Sequence, residues 1–159
     1  MEKERQPSDE EILRRLMVEL RLLEGTAEAL QIRLNLVNAT LTELNLARIT
    51  LEGVEKEKGE APLFVPIGSG SYVQAKLANS DKVILGIGAG VTIEKTIGEA
   101  KETVGNRIAN FEKARATLQQ QLIQVVNQIE GGRVKFQELT AKMSEAERQA
   151  DVQETKGRP

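Results

Sequence analysis

The chain has no cysteine, no histidine and no tryptophan, and only four aromatic residues in 159: Phe64, Tyr72, Phe111 and Phe136. Without thiols or imidazoles there is no disulfide framework, no thiol nucleophile, no imidazole base and no usual zinc or haem ligand. The sequence therefore offers no catalytic residue, no metal site and no cofactor site, and an enzyme is not expected. Few aromatics together with 29% charged residues describe an elongated molecule rather than a thick globule. An excess of charge of one sign is also missing. The net charge of −2 divides into −3 over residues 1–58, zero over 59–93 and +1 over 94–159. No part carries the basic field that nucleic acid or an anionic membrane needs, so neither is an expected partner. The start, Met1-Glu2-Lys3-Glu4-Arg5-Gln6, is charged, and no uninterrupted apolar run of about 18 residues follows it. With neither a signal peptide nor a membrane span read, a cytoplasmic protein is expected.

What is abundant is heptad periodicity. Leu13, Leu16, Leu20, Leu23, Ala27, Leu30, Leu34, Val37, Leu41, Leu44, Arg48 and Leu51 follow one another at alternating three- and four-residue intervals, interrupted only by Arg48. A second segment places Ile97, Val104, Phe111, Leu118, Val125, Gly132 and Leu139 on one heptad position, and Ile108, Leu122, Ile129, Phe136 and Met143 on the other; Lys101 and Arg115 interrupt it. The spacing predicts two long helices that zip together. Ser8 with Glu11 forms a capping-box signature for the first helix, which should run over 8–58 and stop at Gly59 and Pro62. That length corresponds to a rod of roughly 70 Å. The second helix is expected over 94–149, followed by a disordered polar tail over 150–159.

Residues 59–93 have a different grammar, with six glycines, two of the four prolines and only four charged residues. Two β-hairpins are predicted, about 64–67 with 72–77 and 83–87 with 91–93, with Asn79-Ser80-Asp81 as a turn between them. Two hairpins of this size can neither bury an apolar face nor close their edges alone, so this region must join strands from other subunits. Tyr72, Val73, Leu77, Val83, Ile84, Leu85 and Ile87 are the candidate oligomerisation residues. The fold class is α+β: a long antiparallel two-helix coiled coil with two central hairpins. In that arrangement residues whose numbers add to about 150 lie opposite one another. Gly25 then falls near Val125, Arg21 or Glu19 near Gly131-Gly132, and Arg48 beside Glu102.

Other motifs carry less chemistry. Gly86-Ile87-Gly88-Ala89-Gly90 lies between a strand and a helix, but its G-x-G-x-G spacing matches neither dinucleotide-binding nor P-loop patterns, and it reads with Gly68-Ser69-Gly70 as hairpin-turn chemistry. The carboxylate pairs Glu10/Glu11 and Glu145/Glu147 lie on solvent-facing helix ends with no apolar pocket to shift their ionisation. The first helix is apolar on a second side: Val18, Leu22, Gly25, Ala29, Ile32, Leu36, Ala39 and Leu46 recur on the face away from the seam, whereas the same face of the second helix is polar. Such a stripe either packs permanently on another chain or stays open for apolar partners. At the free ends of the helices Ile12, Leu13, Leu16, Met17 and Leu20 meet Phe136, Leu139 and Met143. Helix ends fray, glycine weakens the segment just inside, and methionine adapts to variable surfaces. These eight residues form a tip that is a candidate site for variable apolar partners.

The stretches Val65-Pro66-Ile67-Gly68-Ser69-Gly70-Ser71-Tyr72-Val73 and Asp81-Lys82-Val83-Ile84-Leu85-Gly86-Ile87-Gly88-Ala89-Gly90-Val91-Thr92-Ile93-Glu94-Lys95, set between two coiled-coil helices, resemble the prefoldin family in its archaeal form. Two hairpins between the helices imply the α class, since the β class has one. The resemblance implies that two such chains pair through their hairpins and recruit four β subunits into a hetero-hexamer with a double β-barrel base and six projecting coiled coils. It further implies an ATP-independent holdase that captures non-native proteins at the coiled-coil tips and hands them to a group II chaperonin. A purely structural coiled-coil adaptor, oligomerising through its hairpins and holding one folded partner, is the competing expectation.

Overall fold

Residues 8–57, 59–78 and 81–156 are described by the computed structural model, with side chains as far as 149. In chain order they form α1 (Asp9–Lys56), β1 (Pro62–Gly68), β2 (Ser71–Lys76), β3 (Lys82–Gly88), β4 (Val91–Thr96) and α2 (Ile97–Lys156). Met1–Gln6, Asn79 and Ser80 of the expected turn, and the last three residues of the expected tail lie outside the described residues.

Both helices begin at a capping box, which satisfies orphan backbone N–H groups of the first turn. The Glu11 backbone N–H donates to Ser8 Oγ at 3.3 Å, and the Ser8 N–H donates to Glu11 Oε2 at 3.3 Å. For α2 the pair is Thr96 and Glu99: the Glu99 N–H donates to Thr96 Oγ1 at 3.3 Å, and the Thr96 N–H donates to Glu99 Oε2 at 3.1 Å. This second box corrects the expected helix start at 94. Glu94 and Lys95 remain paired in the β ladder, and α2 begins only at Ile97. The expected tail is corrected in the other direction, because α2 continues to Lys156. No glycine or proline intervenes between Met143 and Gly157, so nothing stops helix propagation there.

The two hairpins are near copies of one design. Pro62–Gly68 pairs antiparallel with Ser71–Lys76, and Lys82–Gly88 with Val91–Thr96, each ladder shifting register just before its turn. Ser69-Gly70 and Ala89-Gly90 are the two-residue turns, with φ of 48° and 72° in one and 49° and 75° in the other. Positive φ at both central positions is the type I′ geometry that matches strand twist. Gly68 and Gly88, at φ 104° and 117°, supply the bulge that precedes each turn. Each hairpin forms a sheet of two strands.

The chain forms two compact units, residues 36–116 and residues 1–35 with 117–159. The first holds the hairpins and the better-buried part of the seam: Leu41, Val104 and Ile108 form a cluster against which Val37, Leu44, Leu51, Leu85 and Phe111 pack. Ala100 is fully buried and Val104 is 2% exposed. Lys101 Nζ donates to Glu55 Oε2 at 2.8 Å, which ties the start of α2 to the end of α1. The predicted pairing of Arg48 with Glu102 does not form: Arg48 is exposed and makes no ion pair among the described residues. In the other unit α1 and α2 also run antiparallel, with Asp9 against Lys142 at 3.3 Å and Glu24 against Arg133 at 2.8 Å.

Candidate functional site

Three apolar surfaces remain open once each chain segment has packed. The first is the outer face of the hairpins. β3 alternates in a way its continuous apolar sequence conceals: Val83 and Leu85 are half-buried, while Ile84 between them is 77% exposed. Leu85 lies on the Leu41–Val104–Ile108 cluster, and Arg107 Nη2 donates to the Gly86 carbonyl at 2.8 Å, so α2 holds β3 by one charged hydrogen bond and one apolar contact. The ladder places Val83 opposite Lys95 and Leu85 opposite Ile93 on this inner side. The outer side carries Ile84 with the Lys82–Glu94 ion pair at 2.7 Å. That hydrogen bond from Lys82 to Glu94 holds the lysine's pKa above its ordinary value.

The expected oligomerisation residues therefore divide. Tyr72, Val73, Ile84 and Ile87 are exposed, whereas Leu77, Val83 and Leu85 are half-buried within their own chain. Leu85 in particular serves the intrachain core, because the period of two in a strand sends it to the face opposite Ile84. Phe64, Ile67 and Val91 are equally open and were absent from the sequence-based set. Phe64 is 70% exposed, on the face it shares with Tyr72 through the register Phe64↔Gln74 and Pro66↔Tyr72. Leu63-Phe64-Val65 is an apolar run without alternation, and only the pairing of Phe64 with the Tyr72 strand reveals its outward face.

The second open surface belongs to the unit that contains the free helix ends. Leu30, Leu34 and Ile129 are its buried side chains among the described residues. Beyond them, toward the ends, Leu13, Leu16, Leu20, Phe136, Leu139 and Met143 are only half-buried, and Ile12 and Met17 are exposed. The structure thus separates the eight tip residues into six that make up the seam and two outside it. Gly132 occupies a seam position and lies against Leu20 and Leu16. A notch lined by Leu16, Leu20, Leu23, Gln128, Gly131 and Lys135 opens beside it. Four threonines along α1, Thr26, Thr40, Thr42 and Thr50, donate their hydroxyl hydrogen bonds to the carbonyls four residues earlier, which satisfies these hydroxyls within the helix.

The second apolar stripe of α1 is exposed in the single chain, as its position away from the seam anticipates. Val18, Leu22, Ile32, Leu36 and Leu46 are all more than half exposed, and Ile49 joins them. Among the described residues no group of three or more acidic side chains could hold a metal ion. No described helix is long and apolar enough to cross a membrane.

Residues 23–152 match the prefoldin subunit family. The prefoldin subunit alpha of Methanopyrus kandleri is 36% identical over 121 residues, covering 76% of this chain and 77% of that protein. The corresponding protein of Pyrococcus horikoshii is 30% identical over 133 residues, 83% of this chain and 90% of that one. Among solved structures, the filamentous PFD from Methanocaldococcus jannaschii, determined by cryo-EM, superposes with a TM-score of 0.62 at 23% identity, covering 72% of this chain and 95% of that chain, a likeness of fold.

Proposed function

The chain belongs to the prefoldin family and groups with its α subunits, and from that premise we propose that it is an ATP-independent holdase subunit of a chaperone. In this reading the coiled-coil tips capture unfolded proteins and deliver them to a group II chaperonin. The supporting observation lies within the unit of the helix ends: buried Leu30, Leu34 and Ile129 give way to half-buried Leu13, Leu16, Leu20, Phe136, Leu139 and Met143. A seam of that kind leaves apolar surface accessible at the helix ends, with Ile12 and Met17 beside it.

The hairpin region is the oligomerisation part of the molecule, and the helices on either side of it are the client-binding arms. Phe64, Ile67, Tyr72, Ile84 and Ile87 supply more exposed apolar surface than two hairpins can leave to water. Other prefoldin subunits cover it, two α chains combining with four β chains. A fully buried apolar side chain contributes about 1.5–3 kcal/mol, and a partial contact at a tip contributes less. Single tips bind weakly, and several tips around one cavity hold a client through effective concentration and release it stepwise. No bond is made or broken, and no nucleotide is consumed.

The test is light scattering from a chemically unfolded, aggregation-prone protein diluted into the chain with and without a β-type partner, in the absence of nucleotide, with complex mass measured in parallel. Suppressed scattering by an assembly near six subunits supports the reading. A well-formed assembly without suppression favours the structural adaptor.

A further inference from the structure

The outward face of α1 is more than an apolar stripe. Between residues 14 and 33 it carries Arg14, Val18, Arg21, Leu22, Ala29 and Arg33, spaced at intervals that return to one side of the helix. The face turns away from the seam, so these side chains are free of α2. A groove of about 430 Å³ opens against Arg14, Met17, Val18, Arg21 and Leu22. It is followed along the helix by one of about 400 Å³ that shares Arg21 and Leu22 and reaches Arg33. No acidic side chain lines either groove.

All three guanidinium groups are exposed, and among the described residues none forms an ion pair. By contrast Arg133 pairs with Glu24, and Lys142 with Asp9, on the neighbouring side of the same unit. Glu28 lies on the same side one heptad beyond Arg21, outside the grooves, and the face keeps a positive excess in a chain that is acidic as a whole. Arginine is suited to the task because its fork binds carboxylates in bidentate fashion while its stem adds to the apolar floor.

We propose that this groove binds an acidic amphipathic peptide segment: apolar residues at helical spacing seat on Val18, Leu22 and Ala29, and carboxylates engage Arg14, Arg21 and Arg33. Helix-in-groove recognition uses this combination of anchors and charges. Binding here differs from tip capture in requiring neither opening of the seam nor an unfolded client, although Met17 borders both surfaces.

The experiment uses the full chain and a fluorescent synthetic peptide with leucines at i, i+4, i+7 and i+11 flanked by glutamates, followed by anisotropy at low and high salt. Lysine-for-glutamate and scrambled versions are the controls. The acidic peptide is expected to bind and to weaken with salt, and the basic one not to bind. Arg14→Gln with Arg21→Gln and Arg33→Gln should lower the affinity by about tenfold or more, and Val18→Gln with Leu22→Gln should do the same while keeping the charges. Phe136→Ser with Met143→Ser, which line neither groove, tested against an unfolded client, reports separately on the tip. Equal binding of acidic and basic peptides, unchanged affinity in the arginine variant with helix content preserved, or binding of anionic phospholipid vesicles in place of the peptide overturns the proposal.

Discussion

Leu20 reaches into the space that a side chain on Gly132 would fill: a Cβ there would lie 2.7 Å from Leu20 Cδ2, whereas a Cβ on the adjacent Gly131 would meet nothing within 4 Å. Two neighbouring glycines of one helix thus have different roles. Gly132 makes room for a seam leucine, and Gly131 only weakens the helix.

Gly131→Ala should stabilise the unit containing the helix ends by about 1 kcal/mol, the ordinary helix-propensity difference. Gly132→Ala gains the same propensity but must displace Leu20, and its net effect should be smaller or of opposite sign. Urea unfolding with amide exchange along α2 distinguishes them. Equal stabilisation by both would show that Leu20 is not held against Gly132.

Ile84→Asp and Leu85→Asp should fail in different ways. Ile84 is exposed and Leu85 lies on the Leu41–Val104–Ile108 cluster. The first variant should keep its melting temperature as a single chain and lose assembly mass. The second should destabilise the chain itself, on the order of 3 kcal/mol, because a carboxylate enters an apolar cluster without a partner. Thermal melts and native mass measured together check this, and an Ile84→Asp assembly of full size would remove Ile84 from the interface.

Ile12→Ser with Met17→Ser should weaken capture of an unfolded client several-fold without changing helix content or assembly mass, since both residues are exposed beside the seam. Leu16→Ser with Phe136→Ser and Met143→Ser should weaken capture as well, and should also loosen the helix ends, because these three belong to the seam. Scattering and circular dichroism on both variants separate contact from stiffness. Undiminished capture by the first variant would remove Ile12 and Met17 as client contacts.

The start of α2 should be pH-sensitive through one carboxylate. Hydrogen bonds from the Thr96 backbone N–H and hydroxyl hold the Glu99 pKa below its ordinary value. A carboxyl group with a lowered folded pKa stabilises the fold above its unfolded value, and the contribution disappears as pH falls through the folded one. Fraying of α2 at Ile97 should therefore begin as acid enters the usual carboxylate range and be complete below it. Glu99→Gln should flatten that profile, as read by NMR of the Ile97–Ala100 amides. A profile identical in the variant would assign the acid response elsewhere.

The heptad intervals from Leu13 to Leu51 and from Ile97 to Met143, the Ser8–Glu11 cap and the paired Gly-x-Gly turns were legible in the amino-acid sequence, because each is a local rule: a period, a hydrogen bond within one turn, a positive φ. The Thr96–Glu99 box was equally local, but it was masked by a β-rich flank that made Glu94 seem the first helical residue. Antiparallel register followed from matching the two seams. What only the tertiary structure decided was the direction of side chains in the run Val83-Ile84-Leu85-Gly86-Ile87. A strand made only of apolar residues has no alternation to reveal its inner face, and contact with Leu41, Val104 and Ile108 selects Leu85 for the core and leaves Ile84 outside. The same holds for Arg48 and Arg107: periodicity put Arg48 in the seam beside Glu102 and was silent on Arg107. Packing leaves the first in solvent and brings the second to the Gly86 carbonyl, because a long cationic side chain goes where a backbone acceptor is within reach.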